Sequence, residues 1–299
     1  MNHFVIDGRY KDLLCYHGLD VANVLRKSQL PGDALNHEVV KMTEAEYYRF
    51  MEAIGALAPD PLLSVRMATE GGIESFSPPI FAAYCSKNGH TCIVRLARYK
   101  KLIGPMSLQL IEDEGELTVE LRDGAGEAAV PAFLATSEFA FLTGLMRRAT
   151  GEGVSPLRMT FRGTLPADEV LAYFGCDAST GDSNSITFSA RDLTLPFVTH
   201  NDAMWGYFEP ELAKRLSELD VDDSVSARVR AALTELLSGG MFSADDVAKE
   251  LGMSKRSLQR ALAAEGTTFQ KQLNGTREVL ARHYAANTNM PARDIAYLL

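Results

Sequence analysis

The sequence predicts an α+β region over residues 1–219, followed by an all-α region over residues 225–299. Two runs of alternating apolar and polar residues, 107–112 and 116–122, are joined by Asp-Glu-Gly and are typical of a β-hairpin. Through most of the remaining chain, apolar residues recur at the spacing of a helix. The short acidic segment 220–224 separates the two regions and is predicted to be a linker.

The first part of the chain is predicted to consist of short amphipathic helices. Thr43 followed by Glu46 fits a capping box, in which the hydroxyl and the carboxylate satisfy two backbone N–H groups at the start of a helix. The predicted helices span residues 11–17, 21–29, 43–58 and 62–68. Because each has only one apolar face, together they must cover a larger core.

The middle of the chain is predicted to add longer helices and a few strands to the hairpin. Helices are predicted at 80–85, 92–103, 133–150 and 167–174, and strands at 158–161 and 185–189. Residues 194–205 are predicted to be irregular. Pro210 then occupies the first position of a helix predicted over 209–219, where a missing N–H costs nothing.

Two short helices with a tight turn are predicted near the C-terminal end. Ser243 and Ser254 are the candidate N-caps of these helices, and Gly252 between them permits the positive φ of a sharp turn. The outward face of the second helix carries polar and basic side chains: Lys255, Arg256, Gln259 and Arg260. Side chains of these types reach phosphates and base edges in a DNA major groove. The pattern predicts a helix-turn-helix, while an ordinary helical hairpin with a solvated basic face is the alternative.

The helical region also has segments on either side of this pair. Ser224 is predicted to cap a helix over 225–237, and a long helix is predicted over 268–286. Met290-Pro291 opens a last predicted helix over 292–299, where the sequence stops.

Charge is distributed unevenly along the chain. The formal net charge is −9, but residues 225–299 contain ten Lys or Arg against seven Asp or Glu, which leaves the preceding residues with −12. An acidic body with a mildly basic end is compatible with a regulator whose smaller region touches DNA. The four cysteines have no CxxC spacing, and no apolar run or leader pattern predicts a membrane span or secretion, so a cytoplasmic protein is expected.

The order of the C-terminal helices resembles the DNA-binding domain of AraC/XylS-type bacterial transcription regulators. The similar residues are the run Ser254-x-Arg256-x-Leu258-x-Arg260-x-Leu262 and the segment 291–296, Pro-Ala-Arg-Asp-Ile-Ala. Upstream, the segments 96–99 and 195–197, with Asp202 and Phe208, resemble the arabinose-binding-like effector domain of such regulators. The resemblance implies a promoter or operator DNA partner, a small-molecule effector in the N-terminal effector/dimerisation domain, and a homodimer.

One departure from this family concerns the end of the chain. Members carry two helix-turn-helix units, and only the first helix of the second unit is present here. The expectation is therefore that the sequence is truncated in an incomplete second helix-turn-helix. Such a chain would make about half of the phosphate contacts and bind DNA weakly, with a steep salt dependence.

The candidate effector-binding residues are two arginines and two aromatic residues. Arg95 and Arg98 share the basic face of the helix predicted over 92–103 with Lys100 and Lys101. Such a face is ordinarily solvated, but Arg95 or Arg98 could hold a carboxylate in bidentate fashion. Phe76 and Tyr84 could line an apolar pocket, although core packing explains them equally well.

Other motifs favour neither a cofactor nor catalysis. Gly124-x-Gly126-x-x-Ala129 follows a strand, but Pro131 interrupts the helix that a dinucleotide fold requires, so a loop is predicted. His90 and Cys92 alone do not make a metal site. We expect no cofactor, no metal and no enzyme activity. The alternative function is a small-molecule-binding protein whose incomplete C-terminal domain no longer binds DNA.

Overall fold

The computed structural model describes residues 3–7, 10–37, 39–71, 77–124, 128–237, 242–287, 290, 291, 293, 295 and 296. The chain forms two compact units, Met1–Leu216 and Ser217–Leu299, hereafter unit 1 and unit 2. Unit 1 combines helices with β-sheet, and unit 2 is helical in its described part. None of the helices in the described residues is long and apolar enough to span a membrane.

Unit 1 begins with a two-stranded sheet that the sequence did not predict. Strand β1, His3–Asp7, pairs antiparallel with β2, Val39–Thr43. Between these strands lie the predicted helices α1, Tyr10–Tyr16, and α2, Val21–Lys27. Each strand has only five residues, which is too short for its alternating pattern to be recognised in the sequence. The two strands are also more than 30 residues apart in the chain, so no local turn indicates their pairing.

Helix α3, Glu44–Leu57, begins at the predicted capping box. The Thr43 Oγ1 accepts a hydrogen bond from the Glu46 N–H at 3.3 Å, and the Glu46 carboxylate accepts the Thr43 N–H at 2.8 Å. The apolar face of α3 is buried, including Tyr47, Phe50 and Ile54. The local pattern was therefore sufficient to place this helix.

Three helices follow, and one of them corrects a prediction. These are α4, Leu63–Thr69, α5, Pro78–Tyr84, and α6, Gly89–Tyr99, which runs into a 3-10 turn over Lys100–Leu102. Helix α6 starts earlier than predicted because the Asn88 side chain accepts the Thr91 N–H at 3.0 Å.

Lys100, assigned to a basic face that would ordinarily be solvated, is only 4% exposed. Its Nζ lies 2.6 Å from a carboxylate oxygen of Glu138, which explains how the charge is buried.

A five-stranded sheet forms the second layer of unit 1. Its strands are β3, Ser107–Asp113; β4, Glu116–Arg122; β5, Arg158–Arg162; β6, Asp177–Gly181; and β7, Asn184–Ser189. The order is β3-β4-β7-β5-β6, with only β5 and β6 parallel among these strands. The β3–β4 hairpin was predicted correctly. Strand β6 was missed because its sequence, Asp-Ala-Ser-Thr-Gly, has few β-formers and lies at an edge with most side chains exposed.

Three helices pack with this sheet. They are α7, Ala132–Thr150, α8, Asp168–Phe174, and the short α9, Ala190–Leu193. The largest core cluster of unit 1 includes Phe139 of α7 and Phe161 of β5, whose ring centroids are 5.5 Å apart. Arg147 joins α7 to the end of α8, since its guanidinium donates to the carbonyl oxygens of Val154 at 2.7 Å and Tyr173 at 3.0 Å.

Helix α10 differs from the predicted connection between the regions. It spans Asp202–Asp223, so it starts within the predicted irregular stretch and includes all but the last residue of the predicted linker 220–224. The Asn201 side chain accepts the Met204 N–H at 3.0 Å, and this capping bond places the start. Pro210 is therefore inside the helix and not at its first position. Both Pro210 and Gly206 are exposed, so water can bond the carbonyl that Pro210 leaves without an N–H partner.

Unit 2 contains four described helices after α10. These are α11, Val225–Leu236, α12, Ala244–Glu250, α13, Lys255–Ala264, and α14, Phe269–Asn287. Ser224 caps α11 as predicted, with its Oγ accepting the Ala227 N–H at 3.1 Å. Beyond α14, Ile295 is buried and donates its N–H to the Pro291 carbonyl at 3.2 Å. Most of the predicted last helix, 292–299, lies outside the described residues.

Candidate DNA interface and ligand cavity

The two predicted helices near the C-terminal end are present as α12 and α13. Ser243 forms a capping box with Asp246 at the start of α12, and hydrogen bonds from Ser243 lower the pKa of that carboxyl. Gly252 has φ +66°, the left-handed conformation that a residue with a Cβ rarely adopts. Ser254 then caps α13, with its Oγ accepting the Ser257 N–H at 3.1 Å. Local sequence therefore sets both helix starts and the turn.

A small apolar core holds α13 in place. Leu258 and Leu262 of α13 are fully buried and pack with Val247 and Ala248 of α12. Helix α11 contributes Val229, Ala232 and Leu233 to the same cluster. Fixing one face of α13 by burial leaves the opposite face turned toward solvent.

The exposed face of α13 carries the predicted DNA-contacting residues. Arg256, Gln259 and Arg260 are exposed, and none of them has a hydrogen-bond or ion-pair partner among the described residues. Lys255 is also exposed, but its Nζ lies 2.6 Å from Asp245 of α12. The Ser254 hydroxyl is used for the cap. This face thus presents two guanidinium groups and one amide that are available to an external acceptor.

Glu265, just beyond α13, was not singled out from the sequence. Its two carboxylate oxygens accept the N–H groups of Val225 at 2.6 Å and Ser226 at 3.0 Å, at the first turn of α11. Burial would raise the pKa of this carboxyl, but the hydrogen bonds from Ser226 and Val225 lower it overall. The interaction joins residues 40 apart, so no local motif could have identified it.

Unit 1 contains a cavity of about 670 Å³. Its walls come mainly from α1, α3 to α7 and the 3-10 turn after α6, and Ile6 of β1 and Leu108 of β3 complete them. Most lining side chains are apolar, among them Met51, Leu96, Leu134, Leu142 and Phe141. A mostly apolar concave site of this size is typical of small-molecule binding.

Polar groups occupy a limited part of the cavity wall. Lys100 and Glu138, the buried ion pair, both line it, as do Tyr10 and Tyr47. Burial raises the pKa of the Tyr47 hydroxyl, and the neighbouring Tyr10 and Glu138 raise it further, so this group stays protonated. The sequence offered no signal for the pair because Lys100 and Glu138 are distant in the chain.

Two further lining atoms lack hydrogen bonds. His17 Nε2 and Ser77 Oγ are buried and have no hydrogen-bond partner in the described part of the chain. Ser77 is the N-cap of α5, yet its hydroxyl makes no capping bond. Buried polar atoms are nearly always satisfied, so each unsatisfied one requires an explanation, such as a ligand or water.

Among the predicted effector-binding residues that the structure describes, Arg95, Arg98 and Tyr84 do not line the cavity. The Arg95 guanidinium stacks on Trp205 of α10, 3.6 Å from the ring centroid, and donates to Ser86 Oγ at 2.9 Å. Its burial lowers the pKa of this guanidinium. Arg98 pairs with Glu209 of α10 at 3.3 Å. Neither arginine lines the cavity, and their contacts connect α6 with α10.

Of the two aromatic candidates, only Tyr84 lies within the described residues. Tyr84 is 3% exposed and does not line the cavity. Phe76 lies outside the described residues, as do positions 125–127 of the glycine motif that begins at Gly124. The effector-binding assignment of the four residues therefore stays a prediction.

Comparison with known proteins gives a consistent set of relatives. The family model described as the arabinose-binding domain of AraC transcription regulators, N-terminal, matches residues 18–197. The chain is 25% identical over 293 residues to the ornithine utilization regulator of Pseudomonas aeruginosa, covering 96% of this chain and 86% of that protein. It is 26% identical over 306 residues to the HTH-type transcriptional regulator VirS of Mycobacterium tuberculosis, covering 97% of this chain and 86% of that protein.

A solved structure is similar in fold. The transcriptional regulator CdpR from Pseudomonas aeruginosa matches with a TM-score of 0.50 at 16% identity, over 98% of this chain and 90% of that chain. At this identity the likeness concerns the fold alone.

Proposed function

Since this chain belongs to the AraC transcription regulators with an arabinose-binding N-terminal domain, we propose that it binds DNA sequence-specifically under the control of a small-molecule effector. Unit 2 is the proposed DNA-binding domain and unit 1 the proposed effector-binding and dimerisation domain. The observation that carries the DNA-binding proposal is the exposed face of α13, where Arg256, Gln259 and Arg260 have no partner among the described residues.

The chemistry of this face fits a major groove. An arginine can donate two hydrogen bonds to the O6 and N7 of guanine, and a glutamine can bond the N6 and N7 of adenine. Leu258 and Leu262 fix α13 before DNA is bound. Because the helix backbone is already ordered, binding costs less conformational entropy than it would for a flexible segment. We assign base-edge contacts to some of Arg256, Gln259 and Arg260, and phosphate contacts to Lys255 and Ser254.

The cavity of unit 1 is the proposed effector site. Its apolar wall, its few polar groups and the two unsatisfied polar atoms support this location. The relative named an ornithine utilization regulator is linked by its name to a small metabolite. By analogy with the family we also propose a homodimer in the cytoplasm, with half-sites repeated in the operator.

The first test is the DNA affinity of an Arg256→Ala variant. We expect it to bind a fluorescent duplex from the region upstream of its gene about 5- to 150-fold more weakly than the parent chain, since a lost bidentate base contact costs about 1–3 kcal/mol. Fluorescence anisotropy at two salt concentrations measures this loss. If Arg256 contacts a base, its loss should relax the sequence preference. If it contacts a phosphate, its loss should lower the salt slope by about 1.

The matched control is Arg191→Ala, which removes an exposed arginine from α9 in the other unit. It should leave the affinity unchanged. Equal affinities of the Arg256→Ala and parent chains for the duplex would contradict the assignment of α13. Absence of any preference over a scrambled duplex in the parent chain would favour a small-molecule-binding protein without DNA function.

A further inference from the structure

The charged groups of the cavity in unit 1 form two distinct sets. Lys100 and Glu138 are the inner set, with side chains 5% and 15% exposed and the Nζ and Oε2 atoms 2.6 Å apart. The outer set consists of Asp12, Arg66 and Glu70, which are all exposed. Exposed charges are solvated and screened by salt, so the inner pair determines the electrostatics of the interior.

The inner pair has no net charge. A ligand with a single charge would place a third unit charge beside the side chains of Lys100 and Glu138, which are largely withdrawn from water. A buried charge without its own counter-charge is strongly unfavourable. A ligand with no net charge avoids this cost, and its hydroxyl or amide groups can still bond the donors and acceptors of the pair.

The unsatisfied atoms point to the same class of ligand. An imidazole nitrogen can donate or accept according to its tautomer, and a serine hydroxyl can do both. His17 Nε2 and Ser77 Oγ are therefore suited to hydroxyl or amide groups. The Tyr47 hydroxyl, kept protonated by its burial, adds another neutral polar group to the wall.

We propose that the cavity binds an uncharged amphipathic molecule, with an apolar hydrocarbon or aromatic body and hydroxyl or amide groups, and that the Lys100–Glu138 pair excludes ligands with a single charge. The proposal rests on the effector site assigned to unit 1 and specifies the chemical class of its ligand.

Three probes with one body and different end groups test this selectivity on the full chain. These are 4-phenylbutan-1-ol, 4-phenylbutanoate and 4-phenylbutylammonium, with binding measured by calorimetry at neutral pH. We expect the parent chain to bind the alcohol at least about 10-fold more tightly than either ion. A preference for either ion, or no binding of any probe, would overturn the proposal.

Single substitutions of the pair should change the preferred probe. Glu138→Gln leaves the Lys100 charge without its counter-charge, so affinity for phenylbutanoate should rise about 10-fold or more relative to the alcohol. Lys100→Met should favour phenylbutylammonium in the same way. Unchanged probe preference in folded forms of both variants would also overturn the proposal.

A double variant covers the case in which a lone buried charge prevents folding. Lys100→Met combined with Glu138→Met removes both charges together, a change that proteins often tolerate. It should fold, by circular dichroism, and still bind the alcohol in preference to both ions. A double variant that prefers an ion would contradict the proposed selectivity. Ser77→Ala should lower affinity for the alcohol without changing the order of the probes.

Control of DNA binding is measured separately, by anisotropy in the presence of the alcohol. If the alcohol binds with the expected selectivity but leaves DNA affinity unchanged, the proposed ligand class is supported and the proposed regulation of DNA binding is contradicted. If DNA affinity responds to phenylbutanoate or phenylbutylammonium and not to the alcohol, the proposed ligand class is contradicted and the proposed regulation is supported.

Discussion

Gly252 adopts the left-handed backbone conformation that the turn between α12 and α13 requires. A Cβ built at this position would have no heavy atom within 4 Å beyond its chain neighbours, so replacement by alanine adds backbone strain without a clash. We expect Gly252→Ala to lower the free energy of unfolding by about 1–2 kcal/mol, the cost of this conformation for a residue with a side chain. Urea denaturation followed by circular dichroism measures the change.

Gly275 provides the control for this substitution. It lies within α14, does not have a positive φ, and also has no heavy atom within 4 Å of a built Cβ. Gly275→Ala should raise stability by about 0.5–1 kcal/mol, because alanine favours the helix. If the two variants change stability in the same direction, the strain argument for Gly252 is wrong.

Single residues were predictable where their partners lie within one turn of the chain. Thr43, Ser224, Ser243 and Ser254 all cap the helices assigned to them. Lys100 was not predictable, because its partner Glu138 is 38 residues away. The apolar spacing over the predicted helix 92–103 placed this charge on the basic face, but it could not identify the carboxylate that allows its burial.

At the scale of elements, Glu265 connects the end of α13 to the start of α11. Glu265→Gln retains the shape of the side chain but weakens the hydrogen bonds from Val225 and Ser226. We expect the opening free energy of α11 to fall by about 1 kcal/mol, the size of a typical N-cap loss. Hydrogen exchange of peptides from α11 should become about five-fold faster at neutral pH.

The pH dependence of the Glu265 effect follows from the lowered pKa of this carboxyl. A carboxyl whose pKa is lower in the folded state stabilises that state above its unfolded pKa of about 4.3, and the stabilisation is lost as the pH falls through the folded value. The difference between parent and Glu265→Gln should therefore shrink below about pH 4. The control is Glu250→Gln, at an exposed position of α12. It should leave the hydrogen exchange of α11 unchanged, and an effect equal to that of Glu265→Gln would contradict the capping role of Glu265.

Elements were predicted well where their pairing is local. The β3–β4 hairpin has its partner strands two residues apart, and the helices of unit 2 have strong apolar stripes and caps. Strands β1, β2 and β6 were missed because short strands acquire their stability from distant or edge pairing. Helix α10 was placed too late because Pro210 was interpreted as a first-turn residue, whereas the capping bond of Asn201 starts the helix earlier.

At the scale of the whole molecule, the proposed function requires reciprocal coupling between ligand and DNA. If 4-phenylbutan-1-ol changes DNA affinity by some factor, saturating DNA must change affinity for the alcohol by the same factor. We expect a factor of about 5–150, the usual range of such coupling. Anisotropy with and without the alcohol, and calorimetry with and without DNA, measure the two factors independently. Unequal factors would show that the alcohol acts outside the proposed two-site linkage.

The uneven charge of the molecule bears on its affinity for DNA. Residues before Val225 carry a net charge of −12, and those from Val225 onward carry +3. The basic side chains proposed to meet phosphate belong to the second group, so affinity should fall as salt rises. The sequence alone gives this net charge, which affects the association of the protein with DNA but does not determine its fold.

The sequence by itself determined the helical C-terminal region, its caps and turn, and the polar residues on the exposed face of α13. These features depend on contacts within a few residues, where spacing and residue type specify the backbone. Only the tertiary structure decided the pairing of Lys100 with Glu138, the cavity they line, and the attachment of Arg95 and Arg98 to α10. Such contacts join residues far apart in the chain, and their partners become known only when the helices and strands pack together.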